Sequence, residues 1–83
     1  MIADIGEDAA VSRIAAAIGE PARTRMLYSL LDGHARTSTE LAMVAEVTPS
    51  TASVHLHRLK EENLVQVLVQ GRHRYYSLRG SKV

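Results

Sequence analysis

Apolar residues recur at helical spacing along the first three quarters of the chain and then give way to strand-like runs. In the first helical stretch, residues 8–18, one stripe is formed by Val11, Ile14, Ala15 and Ile18. Further alanines widen this stripe beyond what one core needs. That breadth would suit a second surface such as a subunit contact, although alanine also has the best helix propensity.

The second predicted helix covers residues 21–32. Pro21 suits the first position of a helix, and Gly33 is expected to close it as a C-terminal cap. Four side chains are expected to point into the core, namely Met26, Leu27, Leu30 and Leu31. Arg23 and Arg25 are expected on the outer side, where they would contact phosphate or, as the favoured alternative, pair with nearby acids.

Two short helices across a tight turn are predicted over residues 37–62. Hydroxyl side chains at 37–39 mark the start of the first, and Thr48 and Pro49 supply the cap and first residue of the second. The second helix has an apolar stripe for the core, formed by Ala52, Leu56 and Leu59. Such a pair is the helix-turn-helix arrangement, which is a weak signal alone because many helical bundles contain one.

The opposite face of the second helix carries short hydrogen-bonding groups, one small apolar side chain and one cation. These residues are Ser50, Thr51, Ser53, Val54, His57 and Arg58. A helix with a core stripe and a small polar outer face near its N-terminus fits the major groove of DNA, so we interpret residues 49–62 as a recognition helix. His55 lies beside the core stripe, and a partly buried structural role is one interpretation of it.

Strand-like residues follow this helix. Asn63 can take the left-handed conformation that ends a helix, and LVQVLVQ is a β-branched and aliphatic run. GRH predicts a turn and RYYSL a second strand, which together give a β-hairpin over residues 65–78. Arg72 and Arg74 lie near its tip, where guanidinium groups could reach phosphates or an adjacent minor groove. The predicted fold class is mainly α with a small β-hairpin, a winged helix-turn-helix of order α-α-α-α-β-β, as one domain over residues 1–83.

Charge is distributed unevenly along the chain, although the formal net charge is only +1. Residues 1–47 carry four arginines and seven acidic residues, a net charge of −3, whereas residues 48–83 carry six basic and two acidic residues, a net charge of +4. A basic C-terminal half favours a polyanionic partner. Two ordinarily solvated halves are the alternative explanation on charge alone.

Several classes of function are disfavoured by composition. The chain has no cysteine, so it has neither disulfides nor thiolate metal ligands. The N-terminal residues lack the basic and apolar pattern of a secretory signal, and no segment approaches the about 18–20 apolar residues that span a membrane. We therefore expect a soluble, cytoplasmic protein. No nucleophile accompanies a His–acid pair and no glycine-rich phosphate loop is present, so we expect neither enzymatic activity nor a cofactor.

Four segments taken in order resemble the ArsR/SmtB family of bacterial winged helix-turn-helix repressors, over roughly residues 13–78. GEPARTRMLYSLL resembles the family's D-P-x-R-x-x-I-L-x-L-L helix, and TSTELA resembles the entry to its helix pair. SVHL resembles S-x-H-L in the recognition helix, and GRHRYYSL resembles the wing pattern G-R-x-x-Y-Y-x-L. The resemblance implies a homodimeric transcriptional repressor that binds an imperfect palindrome in double-stranded DNA and is released by an inducer, often a metal.

The family's metal sites do not carry over to this chain. Many metal-sensing members have cysteines at the start of the helix pair, where this chain has Thr37 and Thr39, and hydroxyls are poor ligands for soft or borderline metals. Another common site lies on a C-terminal helix after the wing, and this sequence stops at Val83, where such a helix would begin. His55 and His57 lie about 200° apart around a helix and cannot converge on one ion. No metal site within one subunit is expected, whereas one shared by two subunits stays open and any inducer is unknown.

The dimer interface of the family usually combines its first helix with that C-terminal helix. Two alternatives follow for this chain: Val11, Ile14 and Ile18 carry dimerisation alone, or the sequence is a fragment of a longer protein. A separate alternative concerns function, because some winged-helix modules bind proteins instead of DNA. The basic C-terminal half and the small polar residues of the recognition helix favour DNA.

Overall fold

In the part of the chain that the computed structural model describes, residues 5–80 with side chains from residue 8, four helices and three strands follow one another. They are α1 (Ile5–Gly19), α2 (Pro21–Ser29), β1 (Arg36–Thr37), α3 (Ser38–Ala45), α4 (Pro49–Glu61), β2 (Val65–Gln70) and β3 (His73–Leu78). The predicted class, a mainly α winged helix-turn-helix with a β-hairpin, is confirmed. None of the described helices is long and apolar enough to cross a membrane.

Threonine caps begin both helices of the helix-turn-helix. The Thr37 hydroxyl accepts from the Glu40 backbone N–H at 3.2 Å, and the Glu40 carboxylate accepts from the Thr37 N–H at 2.8 Å, forming a capping box. The Thr48 hydroxyl accepts from the Thr51 N–H at 3.2 Å, with Pro49 at the first helical position. These are local signals, so the starts of α3 and α4 agree with the sequence prediction.

The core is aliphatic and lies between α2, α3, α4 and the sheet. Its largest fully buried side chains are Met26, Leu30, Leu41, Leu56, Leu59 and Val65. Burial of each such side chain stabilises the fold by about 1.5–3 kcal/mol. Ala52, Leu56 and Leu59 have no exposed surface, so the predicted core stripe of α4 is confirmed.

The end of α2 differs from the prediction. The helix stops at Ser29, and its C-cap is Leu30, whose N–H donates to the Leu27 carbonyl at 3.0 Å. Gly33, with φ +83°, lies in the turn that follows and does not cap the helix as predicted. Leu31 was expected in the core but is 64% exposed, because the chain has left helical geometry before it.

The three strands form one antiparallel sheet in the order β1-β3-β2. β1 was not predicted, because two residues are too few to show an alternating pattern. The pairing of Gln70 with His73 leaves a two-residue turn, in which Gly71 has φ +60°, as a type II′ turn requires at its first position. His73 therefore belongs to β3, and the predicted turn was one residue too long.

The hairpin is placed beside α4 by a sharp change of direction after that helix. Asn63 has φ +60°, the left-handed conformation predicted for it. The Leu64 N–H donates to the Leu59 carbonyl at 3.0 Å, and the Arg79 N–H donates to the Leu64 carbonyl at 3.0 Å, which ties both ends of the hairpin to the end of α4. As a result the base of the hairpin is fixed against the recognition helix.

Candidate nucleic-acid interface

The outer face of α4 is open to solvent along its first two turns. Ser50, Thr51, Ser53, Val54 and His57 are all exposed, as the sequence predicted. Val54 is 68% exposed even though it is apolar. The Thr48 hydroxyl lies 3.0 Å from that of Thr51, within the N-cap. This face therefore presents hydroxyls, an imidazole and a small apolar contact on a helix whose other side is held in the core.

Between α4 and the hairpin lies a pocket of about 240 Å³. Its polar lining comes from Ser53, His57 and Lys60 of α4 and from Arg74 of β3. Arg74 faces α4 because it shares the inward side of the sheet with the buried Tyr76, two residues further along the strand. The structure thus brings two cations together beside the outer face of the recognition helix.

Lys60 was missing from the residues predicted for this interface. It lies three residues after His57 and seven after Ser53, so all three share one flank of the helix. That spacing could have identified it, but nothing in the sequence shows which flank the hairpin covers. Arg72, by contrast, is exposed at the second position of the hairpin turn, at the tip, as predicted.

Arg58 lies on the other flank of α4, towards α1. Its Nε is 3.7 Å from Oε2 of Glu62, and Nε of Arg13 in α1 is 3.6 Å from Oε1 of the same carboxylate. The Arg58 side chain is 38% exposed, and its Nε atom is buried without a hydrogen-bond partner. The structure therefore does not place Arg58 with the cations of the helix–wing pocket, and its predicted contact with phosphate stays a prediction.

His55 and Arg23 have structural contacts with each other. Nη1 of Arg23 lies 3.0 Å from Nδ1 of His55, and Nε of Arg23 donates to the Ala17 carbonyl at 2.7 Å. The His55 side chain is 15% exposed, which confirms the structural interpretation of this histidine. Arg23 is half-buried and does not lie on the outer side as expected, because its guanidinium bonds two carbonyls of α1 and an imidazole, although its charge still acts on the nearby Glu20 carboxylate. Arg25 is exposed as predicted, with Nη1 3.4 Å from the Ala45 carbonyl.

Glu20 completes this cluster at the N-cap of α2. Its carboxylate accepts from the Arg23 backbone N–H at 2.9 Å, and Oε2 lies 3.7 Å from Nε2 of His55. The backbone hydrogen bond from Arg23 lowers the pKa of Glu20 below its usual value against a smaller effect of desolvation, and the nearby positive charge of Arg23 lowers it further. The carboxylate is therefore negative where it faces the His55 ring.

The donor set at the start of α3 does not fit a soft metal ion. The Thr37 hydroxyl is occupied by Glu40, from whose N–H it accepts and to whose Oε1 it lies at 3.1 Å. Thr39 offers another hydroxyl, the kind of ligand that such ions bind poorly. Among the residues that the structure describes, no group of three or more His, Cys, Asp or Glu could hold a metal ion.

The residues predicted for dimerisation lie on the open side of α1. Val11 is 65% exposed, and Ile14 and Ile18 are exposed as well, while Ala17 turns into the core. Ile18 also borders an apolar groove of about 310 Å³. The groove continues across α2 and the base of the hairpin, where it is lined by Leu27, Tyr28, Leu31, Leu64 and Leu78. This continuous apolar surface is consistent with the predicted subunit contact, which stays a prediction.

A helix-turn-helix with an exposed polar second helix and a basic hairpin beside it defines the winged helix-turn-helix class of transcriptional regulators. Residues 20–67 match the model of the bacterial regulatory protein family arsR. The chain belongs to this family, as its sequence motifs suggested. Proteins of this family are transcriptional regulators, so the expectation that the chain is not an enzyme is confirmed.

Known relatives agree with this assignment. An uncharacterized HTH-type transcriptional regulator of Bacillus subtilis, YdfF, is 42% identical over 71 residues, which are 86% of this chain but 31% of the relative, so the chain spans about a third of that protein. NolR of Sinorhizobium fredii has a TM-score of 0.82 and 25% identity, covering 94% of this chain and 80% of NolR. A homodimeric winged helix-turn-helix DNA-binding domain of Mycobacterium bovis has a TM-score of 0.81 and 25% identity, covering 96% of this chain and 77% of that one.

Proposed function

We propose that this protein is a sequence-specific repressor that binds double-stranded DNA with α4 in the major groove. The observation that carries the proposal is the outer face of α4, whose small polar side chains are exposed while its core stripe is fully buried. Ser53, Val54 and His57 are the residues assigned to base edges. Hydroxyls and imidazoles can hydrogen-bond several bases, and Val54 suits the methyl group of thymine. Ser50 and Thr51 lie at the N-terminus of the helix, where it enters the groove.

Cations on both flanks of α4 are assigned to the DNA backbone. On the wing side, Lys60 and Arg74 share a pocket with Ser53 and His57, and this arrangement suits one phosphate group. Arg72 at the hairpin tip is assigned to a further phosphate or to the adjacent minor groove. Arg58, partly exposed on the other flank, is assigned to the backbone as well.

The operator is proposed to be an imperfect palindrome bound by a homodimer. Val11, Ile14 and Ile18 give α1 an exposed apolar stripe, and the groove beside Ile18 extends that surface across α2. A two-fold dimer would present two copies of α4 to successive major grooves. The homodimeric state of the similar Mycobacterium bovis domain supports this arrangement. Such a regulator would act in the cytoplasm, where bacterial DNA is.

Selection of duplexes from a random-sequence library tests the DNA-binding proposal directly. The wild-type chain is expected to enrich one palindromic sequence and to retard it in a gel. His57→Ala should reduce discrimination against single-base changes by about 1–3 kcal/mol at one position in each half-site. The matched control is His34→Ala, which removes an exposed histidine outside this interface. If low-salt gels show no retardation of any duplex, a protein-binding winged-helix module is the better explanation.

Sedimentation measurements test the dimer separately. Ile14→Glu places a charge in the centre of the α1 stripe and is expected to shift the protein towards monomer, because a buried unpaired carboxylate is costly. Met43→Glu, at an exposed apolar position of α3, is the matched control. Equal sedimentation of wild type and Ile14→Glu would show that the subunit contact lies elsewhere.

A further inference from the structure

One arginine ties the recognition helix to the two helices that precede it. Arg23 lies in α2, and its guanidinium donates from Nε to the Ala17 carbonyl at 2.7 Å and from Nη2 to the Ala16 carbonyl at 3.3 Å. Both carbonyls belong to the last turn of α1, which lacks helical N–H partners for them. Nη1 of the same side chain lies 3.0 Å from Nδ1 of His55 in α4. A single cation therefore links α1, α2 and α4.

The contact with His55 requires one protonation state of the ring. A guanidinium has only donors, so Nδ1 must offer its lone pair, and the proton of the neutral ring then lies on Nε2. In a doubly protonated ring, Nδ1–H would oppose the Arg23 N–H, while Glu20 would stabilise the charged ring from the Nε2 side. Among the described residues, Glu20 and Arg23 are the charged groups in contact with the ring, and Arg58, one turn further along α4, is paired with Glu62. Protonation would thus break the contact with Arg23 and keep the one with Glu20.

This hydrogen bond constrains α4 in a way that its core contacts do not. Ala52, Leu56 and Leu59 hold the helix by apolar burial, which is not directional. A hydrogen bond fixes both distance and angle. Because His55 directly follows Val54 of the exposed face, this hydrogen bond adds a directional constraint on the rotation of α4 about its own axis. That rotation decides which side chains face the major groove.

We propose that Arg23 is a positioning residue for the recognition helix and acts through the unprotonated Nδ1 of His55. The proposal rests on the DNA-binding function proposed above. Loss of the contact lowers affinity for the preferred sequence more than affinity for unrelated DNA, because unrelated DNA is bound mainly through phosphates. Protonation of the His55 ring removes the lone pair of Nδ1 and is therefore expected to lower affinity for the preferred sequence as well.

The test uses a duplex that the wild-type chain has selected from a random library, with affinity measured by fluorescence anisotropy over a range from about pH 5 to pH 8. Arg23→Ala and His55→Leu are expected to bind about tenfold more weakly at the upper end of the range, since each removes a hydrogen bond to a charged group. His55→Asn places a neutral amide oxygen near the Nδ1 position. It should retain the affinity and lose the part of the pH dependence that His55 causes. Arg79→Ala, which removes a cation bonded to Oδ1 of Asn63 at the base of the hairpin, is the control and should bind like wild type.

Equal binding by His55→Leu and wild type, or a pH profile unchanged in His55→Asn, would overturn the proposal. If Arg23→Ala does not fold by circular dichroism, the comparison of the two His55 variants decides. If the wild-type chain selects no sequence, the proposed DNA-binding function is wrong. The positioning role of Arg23 is then tested separately by NMR, from the protonation state of His55 Nδ1 and the orientation of α4. An unprotonated Nδ1 in the wild type, with α4 amide dipolar couplings that change in Arg23→Ala, supports it. A protonated Nδ1 at neutral pH, or unchanged couplings, refutes it.

Discussion

Removing the two cations of the helix–wing pocket should flatten the salt dependence of DNA binding by an amount that can be calculated. Lys60 and Arg74 line one pocket of about 240 Å³, so we assign them a single phosphate. Each phosphate that a protein neutralises contributes about 0.9 to the slope of log affinity against log salt. In the double variant Lys60→Gln/Arg74→Gln, the slope of log affinity against log salt should become less negative by about 0.9 for each protomer, which is about 1.8 for a dimer. Affinity should fall for all duplexes alike, because the phosphate is present in every sequence.

Fluorescence anisotropy with the selected duplex and an unrelated duplex, between about 50 and 200 mM salt, measures both slopes. Arg79→Gln is the matched control, because it removes one cation from the base of the hairpin, where Nη1 donates to Oδ1 of Asn63. Its slope should equal that of wild type. The assignment of one phosphate to Lys60 and Arg74 is refuted if the double variant keeps the wild-type slope. It is also refuted if Arg79→Gln makes the slope less negative by the same amount as the double variant does.

Three further predictions concern the elements that hold the interface in place. Leu56→Ala should destabilise the protein by about 2–5 kcal/mol in urea unfolding, whereas Val54→Ala, at an exposed position of the same helix, should change it little. Hydrogen bonds from the Thr37 N–H and hydroxyl lower the pKa of Glu40 below 4.5, so the capping box stabilises the fold above about pH 4.5 and loses its effect as the pH falls through the lower folded-state pKa. Thr37→Ala should therefore lower the free energy of unfolding, measured in urea, by about 1 kcal/mol at neutral pH and by less in acid. An equal loss at neutral and acidic pH would contradict this prediction. Gly71→Ala should lower the free energy of unfolding by about 1–2 kcal/mol, because alanine disfavours the positive φ at this position. No clash adds to this loss, since no atom lies within 4 Å of an added Cβ. An unchanged stability would exclude the type II′ turn.

The sequence was most informative where structure depends on near neighbours. The buried stripe of α4, the threonine caps of both helices and the left-handed Asn63 all follow from signals within a few residues. The same holds for the hairpin, whose second strand was predicted from an aromatic run. For this reason the helix-turn-helix and the exposed polar face of α4, from Ser50 to His57, could be predicted without the structure.

The remaining features depend on contacts between residues far apart in the chain. β1 exists only because Arg36 and Thr37 pair with Tyr76 and Tyr75, about 40 residues further along. Likewise, the partner of Arg23 is 32 residues away, so its position in α2 gave no indication that it contacts His55. Lys60 was overlooked for the same reason, since the hairpin strand that completes its pocket comes later in the chain. Periodicity assigns a residue to a face of a helix, but it does not say what covers that face.

The short strand β1 also determines how the hairpin can bend. Thr37 is both the last residue of β1 and the N-cap of α3, so no loop separates the sheet from the helix-turn-helix. β1 pairs with β3 as far as Tyr75, and beyond that point the hairpin has two strands only. We therefore expect the base of the hairpin to be held rigidly by β1 and any bending of the hairpin to occur within residues 69–74. Arg74 lies next to the three-stranded part of the sheet and Arg72 at the free end of the hairpin. In the proposed complex we therefore expect Arg72 to follow changes in the width of the DNA groove, while Arg74 keeps its distance from the recognition helix.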